Sequence, residues 1–403
     1  METITEKTRQ HRLARRSPLD MAILSLLLGA ILLIVWLSFT HRSAWSALWP
    51  DYGHMVSNLP QPSAWLRWVV GDISEVAFYK HEFASLGLLA GAYLAYRANR
   101  TGQAWQGFSI CYGSGLWPWL VTSSLLGLLL SNLLWGWTVT ATSWQPTFAA
   151  FVSLPAAMVL MFGGGWKVAI NGALMGAVFV TPMCLLIVNY VCPPLGLPVV
   201  IGNVSGMAVA SVGAFLLCRY VPGLVKTARP EQPRDAPAAP VIGKTPDYGV
   251  IWSLRRVLAD FSEAPFLGNE WASLGLILGA LLAFTLNPLS PAYGSGLLPQ
   301  LIGAQALTSA LGVVIWRRQW QLHGWYPTYV PLVSVVPAAV LTYGGSGQII
   351  VSSAILGALI APPLAYAIAK RLPADMHGFV GNVLSMAIST LMIIPFIGWL
   401  IAN

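Results

Sequence analysis

The sequence predicts an all-α, polytopic integral membrane protein of about eleven transmembrane helices: an N-terminal helix, then two inverted-topology repeats of about five segments each. Three observations carry this prediction. The composition has too few charges for a soluble surface, the chain contains an internal duplication, and Lys and Arg alternate from loop to loop.

Of 403 residues, 56% are hydrophobic and 9% are charged, against roughly a quarter charged in an average soluble domain. Mean hydropathy is +0.67. A soluble core of this size needs a charged shell, which the chain lacks. A net charge of +8 would suggest a nucleic-acid partner in a soluble protein, but here the basic residues sit in short loops between apolar runs. They report topology, and the expected partner is the lipid bilayer, with no nucleic acid.

Residues 1–40 read as a basic cytoplasmic tail and a first transmembrane helix. The apolar run from Met21 is too long for a signal-peptide core, and no small-residue cleavage site follows it, so the helix is expected to be retained. Cys111, Cys184, Cys192 and Cys218 lack metal-ligand spacing and read as packing residues. The sequence therefore implies no metal and no cofactor.

DISEVAFYKHEFASLGLLAGAYLA from Asp72 aligns with DFSEAPFLGNEWASLGLILGALLA from Asp260 at about 14 of 24 positions. The match continues in order. YGSGLWP pairs with YGSGLLP, QPTFAAFVSLP with YPTYVPLVSVVP, and GNVSGMAVA with GNVLSMAIS. The first repeat spans 41–221 and the second 251–403. Between them, 222–250 is rich in Pro, Ala and charge and reads as a cytoplasmic linker.

Apolar segments fall near 78–96, 114–137, 146–165, 168–191 and 198–218, and again near 266–286, 295–316, 327–343, 349–369 and 378–401. An odd number of crossings per copy inverts the second copy relative to the first. With the N-terminus inside, Arg97, Arg100, Lys167, Arg219, Arg255, Arg256, Arg317, Arg318, Lys370 and Arg371 all fall in inside loops, and the C-terminus falls outside. Arg42, Arg67 and Lys80 are the exceptions. The plan resembles that of several unrelated secondary transporters and of urea-type channels, without a residue-level family signature.

The apolar stretch after Glu82 is too short to cross a ~30 Å core alone, and Pro265 disfavours a continuous helix ahead of Glu270. The segments Trp65–Tyr79 and Trp252–Phe266 are therefore expected to be re-entrant, so that Glu82, Glu270, Glu75, Glu263, Asp72 and Asp260 line a cavity between the repeats. The first turns of the two E-x-A-S-L-G helices are expected to meet. The alternative is ordinary pairing of these glutamates with Arg67 or Arg255.

Tyr112 with Ser114, and Tyr293 with Ser295, open helices whose free N–H groups could face a solute; tight turns explain the same glycines. Asn203 and Asn382 each place an amide in an apolar helix that must find a partner. Lys80 and His81 read as marking the aqueous lip, and Trp117, Trp119, Trp135, Trp137, Trp316 and Trp320 as interfacial anchors.

These features suggest a secondary transporter of a small polar solute or ion in a cytoplasmic (inner) membrane, working by alternating access, with H+ or Na+ as a candidate coupling ion and a homo-oligomer as a candidate assembly. A passive pore of urea-channel architecture is the alternative. A membrane enzyme on a lipid-linked substrate ranks third, because no nucleophile with a base and no H-E-x-x-H is present.

Overall fold

The computed structural model describes residues 48–59, 61–140, 145–225 and 248–402. The expected first helix, most of the linker and the terminal Asn403 lie outside the described residues. Within them the chain is helical, with no strand.

Apart from the short helices Tyr52–Ser57 and Arg317–His323, twelve helices among the described residues form two series of six. The first is α1 (Pro62–Glu75), α2 (Glu82–Arg100), α3 (Trp117–Thr138), α4 (Leu154–Phe162), α5 (Trp166–Val191) and α6 (Val199–Tyr220). The second is α7 (Val250–Asp260), α8 (Glu270–Leu286), α9 (Leu298–Ile315), α10 (Val335–Tyr343), α11 (Gly347–Ala369) and α12 (Phe379–Ala402). Six of these are long and apolar enough to cross a membrane: α3, α5, α6, α9, α11 and α12. This makes the protein a helical, multi-pass membrane protein.

Four of the other elements, α1, α4, α7 and α10, are short for reasons written in the backbone. Helices α4 and α10 have nine residues each, or ~13.5 Å, less than half of a ~30 Å core. Each follows a 3-10 turn and a serine off the helical backbone, Ser153 or Ser334, and each ends at a left-handed glycine, Gly163 or Gly344. A residue without a Cβ can turn the chain that sharply. Helices α1 and α7 stop at Glu75 and Asp260, and the chain resumes helix only at Glu82 and Glu270. In between, Phe78 (φ 66°), Lys80 (φ 45°) and Phe266 (φ 62°) adopt left-handed backbone, as does Gly268. The expected breaks near Lys80 and Gly268 are present.

Helices α2 and α8 share the most extensive helix contact among the described residues. A methyl group built on Gly87 would collide with the carbonyl oxygen of Gly275, and one on Gly275 with that of Gly87. Gly91 lies against Trp271, and Gly279 against Phe83. The register therefore runs antiparallel, with backbone touching backbone at the crossing, the close approach that small residues permit.

A second device concerns proline. Pro362 lies inside α11 and cannot donate to Ala358, four residues back. The indole of Trp316 donates to that carbonyl instead, at 2.8 Å. In α5, two π-helical turns, Gly176–Val180 and Ile187–Val191, flank the segment holding Pro182. The carbonyl five residues before Pro182, that of Ala177, accepts from Trp135 at 2.8 Å. Trp135 and Trp316 thus repair helices. The reading of Trp320 as an interfacial anchor is corrected: it is 3% exposed and lies beneath the Arg256 guanidinium, 5.0 Å from its ring centroid.

Gly87→Ala or Gly275→Ala should lower stability by about 3 kcal/mol, the upper range for forced overpacking. Gly213→Ala, where an added methyl meets nothing within 4 Å, should leave the melting temperature unchanged or raise it. Thermal melts of the purified protein check both.

Candidate functional site

Each helix break surrounds two carboxylates and one cation. In the first, Lys80 Nζ pairs with Asp72 and with Glu75 Oε2, the latter at 2.6 Å. It also sits 3.6 Å from the ring centroid of Trp68. Asp72 Oδ2 accepts from Thr147 at 2.7 Å and Asn132 at 3.0 Å. In the second, Arg256 pairs with Asp260 at 2.8 Å and with Glu263. Asp260 Oδ2 accepts from Ser309 at 2.6 Å and Thr328 at 2.9 Å, and Glu263 Oε1 from Trp325 at 2.8 Å. All six charged groups are buried. Lys80 is no lip residue. Nor is His81: it is buried, its Nδ1 accepts from Phe83 N–H, and its Nε2 meets Ser290 Oγ at 2.9 Å. Asn269, its counterpart, caps α8 in the same way.

The two cations do not occupy equivalent positions in the alignment. Lys80 aligns with Gly268, and Arg256 aligns with Trp68. A Cβ on Gly268 would lie 2.6 Å from Glu263 Oε2, so in the second cluster the route used by Lys80 is closed. One half supplies the cation from after the break, the other from the helix before it. The charge has moved, and its partners have not.

The halves also complete each other. Ala292 N–H donates to Tyr79 O at 2.8 Å, and Cys111 N–H donates to Leu267 O at 3.1 Å. Both donors and both acceptors correspond in the alignment. These bonds sit beside left-handed Cys111, Tyr112, Ala292 and Tyr293. With Phe78, Lys80 and Phe266, they are all the non-glycine left-handed residues described. Such conformations cost about 1–3 kcal/mol each and persist where the surroundings impose them. One turn delivers Tyr293 to Glu75 Oε1 at 3.2 Å; its counterpart, Tyr112, stands edge-on to Trp325, the residue that donates to Glu263.

Glu75 faces a cavity of about 530 Å³. Both breaks contribute to it, through Val76 and Phe78 from one and Ala264 and Phe266 from the other. Asn203, Tyr293 and Tyr329 add polar groups. Asn382 donates to Tyr329 at 2.9 Å. At the position of Tyr329 the first half has Phe148, and the side-chain oxygens of both Asn203 and Asn382 are buried without a partner among the described residues.

Other expectations fare differently. Glu82 pairs with Arg67 at 2.6 Å and accepts from Trp49 at 2.8 Å. Glu270 pairs with Arg255 at 2.8 Å and accepts from Phe108 N–H at 2.6 Å. Neither lines the cavity. The expectation that they meet is corrected: each lies five residues from the Gly87–Gly275 crossing on an antiparallel pair, ~15 Å apart along the axis. Ser114 and Ser295 are exposed and accept from Leu116 and Leu297 N–H at their own helix starts. The sequence reading missed Thr147 and Thr328, although both stand in the repeated P-T-F/Y motif. Only alignment of the two copies could have exposed the Lys80–Arg256 exchange.

No protein-family model matches the chain, and no curated protein is similar to it.

Lys80→Gly leaves two buried carboxylates without their cation and should cost about 3–5 kcal/mol. Adding Trp68→Arg rebuilds the second half's arrangement in the first and should recover roughly half of that loss, although it forfeits the Trp68 to Thr147 hydrogen bond. A double variant no more stable in thermal melts than Lys80→Gly alone would defeat the equivalence of the two cations.

Proposed function

We propose that the protein is a membrane transporter of a small polar solute or ion, working by alternating access between two halves related by an inverted two-fold. The single observation carrying this reading is the reciprocal exchange at the helix breaks: the backbone at each break accepts a hydrogen bond from the corresponding turn of the other half, Tyr79 from Ala292 and Leu267 from Cys111. Two interlocked halves around a polar interior and a shared cavity are the arrangement in which rocking one half against the other can expose a site to either side.

Contacts between loops support the inverted topology. Residues expected inside meet one another, as in the Arg219–Asp375 pair at 3.4 Å and the Trp271 to Trp105 bond at 2.7 Å. Residues expected outside do likewise, with Tyr52 N–H donating to Leu289 O at 2.9 Å and Asn287 to Trp49 O at 2.7 Å. The buried carboxylates are the natural seat for coupling to H+ or Na+, since ionisable groups at membrane depth are costly and usually functional.

In a cysteine-free background, an impermeant thiol reagent applied to intact cells should label Leu195→Cys and Leu289→Cys. It should reach Thr101→Cys and Ala374→Cys only after the cells are opened. Labelling of all four from one side would remove the inverted two-fold.

Reconstituted protein should show saturable solute uptake that follows a proton or sodium gradient. Glu75→Gln should reduce it at least about tenfold, or uncouple it, while the protein stays folded, because Asp72 still pairs with Lys80. Linear flux indifferent to both gradients would favour the passive pore.

A further inference from the structure

We infer that the cavity takes an organic solute with an apolar, ring-sized body and one hydrogen-bonding end; this rests on the transport reading and narrows its solute. More than half of the residues lining the cavity come in pairs that correspond in the alignment, among them Phe78 with Phe266, Val204 with Val383 and Met207 with Met386. Corresponding residues of both halves face one space only where that space straddles the axis relating the halves. A motion that exchanges the roles of the halves swaps the unpaired lining residues for their counterparts and keeps the paired ones. The pairs are therefore the walls that a solute meets in either state.

Those walls are apolar. Among the paired residues Tyr329 alone carries a side-chain nitrogen or oxygen, and its hydroxyl already accepts from Asn382. An inorganic ion or a sugar held there would surrender its water to groups that cannot replace it. An apolar body gains by the same transfer. Aromatic side chains set the shape: Phe266 meets Phe379 edge-on with centroids 5.9 Å apart, and Phe78 meets Tyr293 edge-on at 6.5 Å. A flat ring joins such a set by edge-to-face or offset packing. At about 530 Å³ the space lies within the usual range for small-molecule sites, roughly 300–1,000 Å³.

Hydrogen-bonding groups gather off the axis, at the first break. Tyr293 donates to Glu75 at 3.2 Å, and the Tyr52 ring stands edge-on to that of Tyr293, 5.9 Å between centroids. All three line the cavity, whereas Glu263 and Tyr112, the counterparts of Glu75 and Tyr293, do not. An apolar chamber with polar groups at one end fits a solute whose body lies on the axis and whose polar group points toward Tyr52 and Tyr293.

Calorimetry on the full-length protein in lipid nanodiscs, with empty nanodiscs as the blank, would compare 2-naphthol, glucose and sulfate. 2-Naphthol should bind saturably above the blank and at least about tenfold more tightly than glucose, and sulfate should not bind. Val204→Phe and Val383→Phe fill the chamber from opposite halves, and each should weaken 2-naphthol at least about tenfold. Val209→Phe, on the same helix as Val204 but 52% exposed, should leave binding unchanged. Should the filling variants fail to fold, Met207→Gln and Met386→Gln place an amide in the same walls and carry the test with the same expected loss. 2-Naphthol binding no greater than the blank, equal or tighter binding of glucose or sulfate, or a loss confined to substitutions in one half overturns the inference. Because binding is read without flux, such a failure leaves alternating access standing, and a protein that binds 2-naphthol but moves no solute would fail only the transport reading.

Discussion

Everything at the centre of this protein depends on holding two carboxylates around one cation at each helix break. A carboxylate removed from water loses several kcal/mol of solvation, and only a close opposite charge with additional donors restores it. Asp72 and Asp260 each gather such a set: a cation, a threonine, and an amide or a serine. These donors come from helices distant in sequence, so satisfying the charge fixes where those helices pack. The left-handed residues around the breaks are held by the same demand, since the backbone bonds across the halves form only when both turns are in place.

The helical membrane class was legible because it rests on composition and on runs of apolar residues, which need no tertiary knowledge. The breaks before Glu82 and Glu270 were legible from Pro265 and from a run too short to span. What could not be read was direction. The repeated glutamates look equivalent and central, yet antiparallel packing at Gly87 and Gly275 carries them apart, and each takes an arginine fifteen residues earlier in the chain. Sequence spacing places groups along a helix and is silent about which end of a neighbour they meet.

The tryptophans teach a related lesson. Their positions near segment ends fit membrane anchoring, but Trp135 and Trp316 are spent on carbonyls that proline leaves without donors. The clue lay in Pro182 and Pro362, dozens of residues away, and became readable only once the helices were packed. Asn203 and Asn382 were identified as amides in search of partners; Asn382 donates to Tyr329, where the first half carries Phe148, and the oxygens of both amides stay without a partner among the described residues.

The exchange of Lys80 for Arg256 also constrains history. If both halves descend from one ancestral unit, at least one of them relocated its cation, and a relocation by single substitutions passes through a stage with either two cations or none. Two cations against two carboxylates are neutral. None leaves two bare negative charges side by side in the protein interior, a state close to unfolding. The newcomer must therefore have arrived before the incumbent left, whichever half made the move, and the close approach of Glu263 to Gly268 leaves no room for a lysine beside the arginine that now serves the second half.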